Sequence, residues 1–156
     1  MSLMQIPRKI EYALRAMIYL ADRPAGVARG TEIAQHEQIP KYYLEKVIRD
    51  LMRRGLVHAR RGPGGGYQLA RAADTITFRD IIEAVEGPIT LNICTDGSSS
   101  CALQPGCRMF RVWEKGQRVL LEVFSETSLQ EIASSHPSSY YPAATAAATA
   151  AAAPKA

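Results

Sequence analysis

The run Gly62-Pro63-Gly64-Gly65-Gly66 constrains this chain more than any other stretch. Four glycines around one proline cannot extend a helix or a strand, since glycine loses the most backbone freedom on ordering and proline lacks an amide donor. The flanking runs, "LVHARR" and "YQLAR", read as short strands, so residues 56–71 are predicted to form a β-hairpin with a long glycine tip. An isolated hairpin is marginal in water. It needs helices to lie on.

The sequence supplies them. In residues 8–22, Ile10, Leu14, Met17, Ile18 and Ala21 recur at helical spacing. Pro24, Gly26 and Gly30 break that pattern. Residues 31–37 read as a short helix with Thr31 as N-cap. Pro40 then suits the first turn of a third helix, which runs to Gly55 with Leu44, Val47, Ile48, Leu51 and Met52 as its buried stripe. Residues 77–86 form another amphipathic helix, capped by Thr77 with Asp80 three residues on. Two helices joined by a short turn and followed by a hairpin outline a winged helix-turn-helix, and the fold class is mainly α.

Charge points the same way. Residues 1–79 hold 14 Lys and Arg against 7 Asp and Glu, whereas residues 80–156 hold 5 against 8. A basic first half suits a polyanion. Leu44 and Val47 must face inward, which leaves Lys41, Tyr42 and Glu45 exposed at the end of the helix that enters the major groove, and a carboxylate there can accept from cytosine N4. Lys46, Arg49 and Arg53 suit phosphates. Arg60 and Arg61 stand at the wing, where Gly64 and Gly65 let the backbone approach phosphate closely.

Residues 108–133 carry the longest helical pattern. Its stripe, Met109, Val112, Trp113, Gly116, Val119, Leu120, Val123, Phe124 and Ile132, is too long for a small domain to cover alone, and pairing with a second copy is expected. From Pro137 onward the chain is Ser, Pro, Ala and Thr, expected to be a disordered tail. The organisation read from sequence is a DNA-binding domain over 4–79, a connecting helix and cysteine loop over 80–107, a dimerisation helix over 108–134 and the tail over 135–156. Met4 is expected to be the natural start.

All three cysteines fall within 14 residues, as Cys94-x6-Cys101-x5-Cys107. No apolar run approaches the roughly 20 residues of a membrane span, and nothing near the N-terminus reads as a signal peptide, so a cytoplasmic protein is expected. There, clustered cysteines bind metal or act in redox more often than they form disulfides. The spacing is not the C-x2-C knuckle of structural zinc. Gly97, Ser98 to Ser100, Pro105 and Gly106 make the loop pliable, and Cys107 is expected at the start of the long helix, where the dipole favours the thiolate.

The stretch "YLEKVIRDLMRRGLV" followed by "RRGPGGGYQLAR" resembles the signature of the Rrf2 family of bacterial transcription regulators, and "KIEYALRAMIYLA" is similar to its opening helix. The resemblance covers about residues 4–134. It implies a homodimer, joined through the long C-terminal helix, that binds double-stranded operator DNA as a repressor or dual regulator. It implies base reading by Tyr42, Tyr43 and Glu45, with Arg61 in the minor groove. The cysteine loop resembles that of the branch holding a [2Fe–2S] or [4Fe–4S] iron–sulfur cluster, with Cys94, Cys101 and Cys107 as ligands. Three thiolates leave one iron short. One branch of the family fills it with a histidine three residues after the last cysteine, and Phe110 stands there. Another uses an acidic residue from the first helix of the partner subunit, and the matching residue is Glu11, with Asp96 or an exogenous ligand as alternatives. An oxygen ligand exchanges more readily than a thiolate, so redox, nitric oxide or iron status would set dimer geometry and hence operator affinity.

Two other functions compete. A cluster-free regulator would be gated by a small molecule, a protein partner or thiol oxidation. An adaptor would use its winged helix to bind protein, with little salt dependence. No enzyme is expected, because no cysteine stands with a plausible histidine base, no phosphate-binding glycine loop opens a helix and no paired carboxylates flank an obvious pocket; no small-molecule substrate is expected.

Overall fold

The computed structural model describes residues 6–23, 26–98 and 101–135. Met4 and the tail from 136 onward lie outside the described residues. Helix α1, Arg8–Ala21, starts behind Pro7 and buries Ile10, Ala13, Ala16, Met17 and Leu20, a face spaced by threes and fours. Helix α2, Gly30–His36, has its cap two residues earlier than the expected Thr31. Arg29 occupies the cap position, and its amide donates to Glu32 Oε2 at 2.7 Å. That reach-back by an N3 carboxylate fixes the start of the helix.

The turn into helix α3, Lys41–Arg53, is tight. Gln38 sits at φ 52°, in the left-handed region, and Ile39 N donates to Ala34 O at 2.9 Å. Buried Ile39 supplies the apolar plug of this Schellman-type end. Helix α3 ends the same way: Gly55 is at φ 68°, Leu56 N donates to Leu51 O at 3.0 Å, and Leu56 is buried. Its buried stripe is Leu44, Val47, Ile48 and Leu51. Met52, expected among them, is 39% exposed at the stripe margin.

The turn also holds a buried charge. Glu37 is 5% exposed, with Oε1 2.9 Å from His36 Nδ1 and Oε2 3.6 Å from Arg15 Nε on α1. The Arg15 guanidinium also donates to the Glu37 carbonyl. A buried carboxylate stays in place only while such partners do.

Strands β1, Val57–Arg60, and β2, Gly66–Leu69, pair antiparallel, with Val57 opposite Leu69 and Arg60 opposite Gly66. The hairpin expected over 56–71 is thus present. It gains a third member that sequence did not suggest: Ala28 pairs with Tyr67 through N–H···O bonds of 2.9 and 2.8 Å. Helix α4, Phe78–Glu86, carries the expected cap, with Asp80 N donating to Thr77 Oγ1 at 3.0 Å and Thr77 N to Asp80 Oδ2 at 3.1 Å.

The single helix expected over 108–134 is divided. Helix α5 is Phe110–Glu126, and α6 is Leu129–Ser135. Between them Thr127 O accepts from Phe78 N at 2.9 Å, and Leu129 N donates to Ile76 O at 2.7 Å. Those bonds hold Thr127 extended, at ψ 113°, and redirect the chain. Leu129 is then fully buried in one cluster with Met17, Ile33, Leu51 and Ile81. Each such side chain contributes roughly 1.5–3 kcal/mol by leaving water. The apolar stripe expected across 109–132 therefore splits. Ile132 goes with α6, and Trp113, Gly116, Leu120 and Phe124 are half-buried, while Val112, Val119 and Val123 stay exposed on one side of α5, with Met109 exposed just before it.

Candidate nucleic-acid interface and cysteine segment

The outward face of α3 carries Lys41, Tyr42, Tyr43, Glu45, Lys46 and Arg49, all exposed. Tyr43 leans on Tyr12 of α1, with ring centroids 5.8 Å apart. Tyr42 meets Tyr43 edge-on at 5.7 Å and is 71% exposed, so a supported ring holds a projecting one. Lys41 Nζ lies 3.9 Å from Glu45 Oε1. An exposed pair of this kind contributes at most about 1 kcal/mol, so Glu45 can exchange it for another donor at little cost.

A groove of about 260 Å³ runs beside this face, lined by Arg29, Thr31, Lys41, Glu45 and Tyr67 among others. Sequence reasoning missed Arg29, Thr31 and Tyr67 here. The first two are adjacent to the start of α2, a signal that was available. Tyr67 reaches the groove through the Ala28 pairing, which no local pattern announces.

In the wing, Arg60 and Arg61 are exposed at the foot of the glycine turn. The glycines divide by role. Gly62 and Gly64 sit at φ 95° and 75°, a region that glycine enters without strain. Gly64 has open space where a side chain would be. At Gly65 a Cβ would lie 2.3 Å from Arg60 O, and its amide already donates to Gly62 O at 2.9 Å. At Gly66 a Cβ would lie 2.4 Å from Ala28 O. Gly64 therefore offers an open backbone, whereas Gly65 and Gly66 are required by close packing.

Cys94 lies in a 3₁₀ turn, Ile93–Thr95, and Cys107 follows a second, Gln104–Gly106. Cys107 precedes α5 by three residues rather than starting it, and its carbonyl accepts from Phe110 N at 3.3 Å. All three cysteines are free thiols of intermediate burial. One side chain organises the approach to them. Gln117 of α5, buried, donates from Nε2 to Ile89 O at 2.6 Å and accepts at Oε1 from Leu91 N at 2.7 Å and Thr95 Oγ1 at 3.3 Å. It ties the strand-like lead of the segment to α5 much as a neighbouring strand would. Beside it lies a depression of about 460 Å³, lined by Cys94, Thr95, Gln104, Phe110 and Leu121 among others.

Three sulfur donors in one short segment fit an iron–sulfur cluster in kind. Among the described residues, no three or more His, Cys, Asp or Glu side chains are arranged to hold a metal. Glu11 is exposed on α1 and pairs with Arg15, Nη1 to Oε1 3.2 Å. Asp96 accepts from the amide and hydroxyl of Ser98 at 2.7 and 2.5 Å, and those bonds hold its carboxyl below the usual range.

The family model described as "Rrf2: Iron-dependent Transcriptional regulator" matches residues 6–135. A protein of Aquifex aeolicus (strain VF5) described as an HTH-type transcriptional regulator is 31% identical over 125 residues, 79% of this chain and 87% of that protein. Among solved structures, CymR, the global cysteine regulator of B. subtilis, superposes with a TM-score of 0.73 at 31% identity, covering 86% of this chain and 100% of that one. IscR of T. potens gives a TM-score of 0.70 at 27% identity, covering 89% and 93%. The oxidized form of Staphylococcus aureus CymR gives 0.65 at 30%, covering 83% and 96%. No helix among the described residues is long and apolar enough to cross a membrane.

Proposed function

The chain belongs to the Rrf2 family, whose members are transcriptional regulators and not enzymes, and from that premise we propose that it is a dimeric repressor whose grip on operator DNA is set by an iron–sulfur cluster. Cys94, Cys101 and Cys107 would hold the cluster, with Glu11 of the partner subunit completing it. When bound, the cluster would supply a joint sensitive to oxidants, nitric oxide and iron supply. The chain's own residues do the rest. Lys41, Lys46, Arg49 and Arg60 bind phosphate, Tyr42, Tyr43 and Glu45 meet base edges, and Arg61 with Gly64 follows the backbone at the wing. Met109, Val112, Val119 and Val123 bury against the same face of a second copy. The two reading heads must then sit about 34 Å apart to meet successive major grooves.

The observation that carries this reading is the set of three half-buried thiols on a segment clamped by Gln117 to the helix with the open apolar face. Oxygen-free loading with iron and sulfide tests it, with Glu11→Ala alongside. A coloured protein with retained iron, a changed spectrum or shortened cluster lifetime in the variant, and operator affinity that differs between loaded and stripped forms are expected. A colourless protein that retains no iron ends the cluster account.

A second reading is favoured by the three free thiols, by the likeness to B. subtilis CymR, described as the global cysteine regulator, and by the likeness to S. aureus CymR, solved in an oxidized form. Here the same cysteines act as a thiol switch without metal. Loss of DNA binding on mild oxidation of iron-free protein, reversed by reductant, would select it.

A further inference from the structure

We propose that Lys9 is the positioning residue through which the state of the cysteine segment reaches α3; the proposal rests on the regulator reading above. Its ammonium sits where three helices meet. It lies 3.0 Å from Asp50 Oδ2 on α3 and 3.8 Å from Glu86 Oε1 on α4, and it donates to the Val85 carbonyl. Lys9 and Asp50 are 27% and 14% exposed, so this junction is less screened than a surface pair. An ammonium has three protons to give, and these three acceptors come from two helices. At the carboxyl end of α4 the positive charge also complements the helix dipole.

Val85 and Glu86 are the last residues of α4. Gly87, at φ 85°, then turns the chain into the cysteine segment. Ile89 and Leu91 are fixed by Gln117, which also touches Thr95, the neighbour of Cys94. A path of chain links and hydrogen bonds therefore runs from Cys94 through Thr95, Gln117 and Ile89, back along Pro88 and Gly87 to the end of α4, and so to Lys9 and Asp50. Asp50 lies one turn beyond Lys46 and beside Arg49 on α3. Any displacement of the segment that moves the end of α4 also moves this ammonium, and with it α3. Coupling between sites needs such a contiguous element biased from both ends.

Linkage makes the test reciprocal: if opening of the segment affects DNA binding, DNA binding must shift that opening equilibrium by the same factor, and a thiol reagent reads the shift as a rate when opening and closing are fast relative to reaction. The full chain, reduced and metal-free, is mixed with a duplex that the wild-type protein has itself selected from a random-sequence library. The rate of thiol modification by an aromatic disulfide reagent is read with and without saturating duplex. In wild type the duplex is expected to change the rate by about fivefold or more. In Lys9→Met, still folded by circular dichroism and still saturated with duplex, the change should fall below about twofold, and Lys9→Arg should restore most of it. A Lys9→Met protein whose rates rise equally with and without duplex keeps the wild-type ratio and overturns the proposal. So does a wild type that binds DNA while its thiols do not respond. A wild type that selects no duplex defeats the regulator reading itself, and this proposal with it.

Discussion

Gly66→Ala tests whether the wing is locked to the loop before α2 or merely hinged there. The added methyl carbon would lie 2.4 Å from Ala28 O, 2.7 Å from Ala28 C and 2.9 Å from Val27 Cγ1, where ordinary contact begins near 3.4 Å. Two of these neighbours are backbone atoms, so no side chain can swing aside to make room. Either the wing or the loop must retreat by about 1 Å, and the Ala28–Tyr67 bonds of 2.8 and 2.9 Å are what stretches. Overpacking costs about 1–3 kcal/mol, and two weakened backbone bonds add about 0.5–1.5 kcal/mol each; after partial relaxation a loss of about 2–4 kcal/mol is expected. Gly64→Ala is the control. It meets nothing within 4 Å and bears only the left-handed penalty, about 1–2 kcal/mol. Urea unfolding reads both, as a shift of midpoint at unchanged slope. Duplex affinity should fall further in Gly66→Ala, because the displaced wing carries Arg60 and Arg61 away from α3. A Gly66→Ala protein within about 0.5 kcal/mol of wild type, with its affinity intact, would refute the locked junction.

Three further outcomes are expected. On the proposed pairing, Val119→Glu places a carboxylate in the centre of the open α5 face and should leave a folded monomer by analytical ultracentrifugation under conditions where wild type sediments as a dimer. Arg61→Ala should weaken binding across all duplex sequences and reduce the dependence of log affinity on log salt by about 1, read by fluorescence anisotropy at several salt concentrations. Arg15→Met leaves the Glu37 carboxylate buried without its guanidinium and should cost about 3–5 kcal/mol in urea unfolding, with Glu37→Gln added to it recovering part of the loss.

What could be read from sequence was local. The Thr77 and Asp80 cap, the glycine end at Gly55 and the hairpin depend on residues within a few positions of each other, and each formed as expected. The division of the long helix at Thr127 did not show, because what stops α5 is Ile76 and Phe78, some 50 residues earlier in the chain. The third strand residue, Ala28, was invisible for the same reason, and with it the requirement for glycine at 66. The α3 face needed only helical periodicity and an inward Leu44. The chemistry of the cysteine segment was legible in residue type, but Gln117, which organises it, looks in sequence like one more polar residue on a helix surface. Nothing short of tertiary structure marks a buried amide as a clamp.

The bend after Glu126 has a mechanical result. Because α6 seats Leu129 among the innermost side chains and Gln117 bonds to Ile89 and Leu91 midway along α5, that helix is fixed at its end and at its middle rather than hung on a swivel. Its 17 residues make an arm of roughly 25 Å. A tilt of only about 5° at one end sweeps the other through roughly 2 Å, with no slack at the base to absorb it. If two copies pair through α5 as proposed, fine angular adjustment at their contact would therefore arrive at the other end of the helix as a measurable step, the behaviour of a gear train rather than a tether.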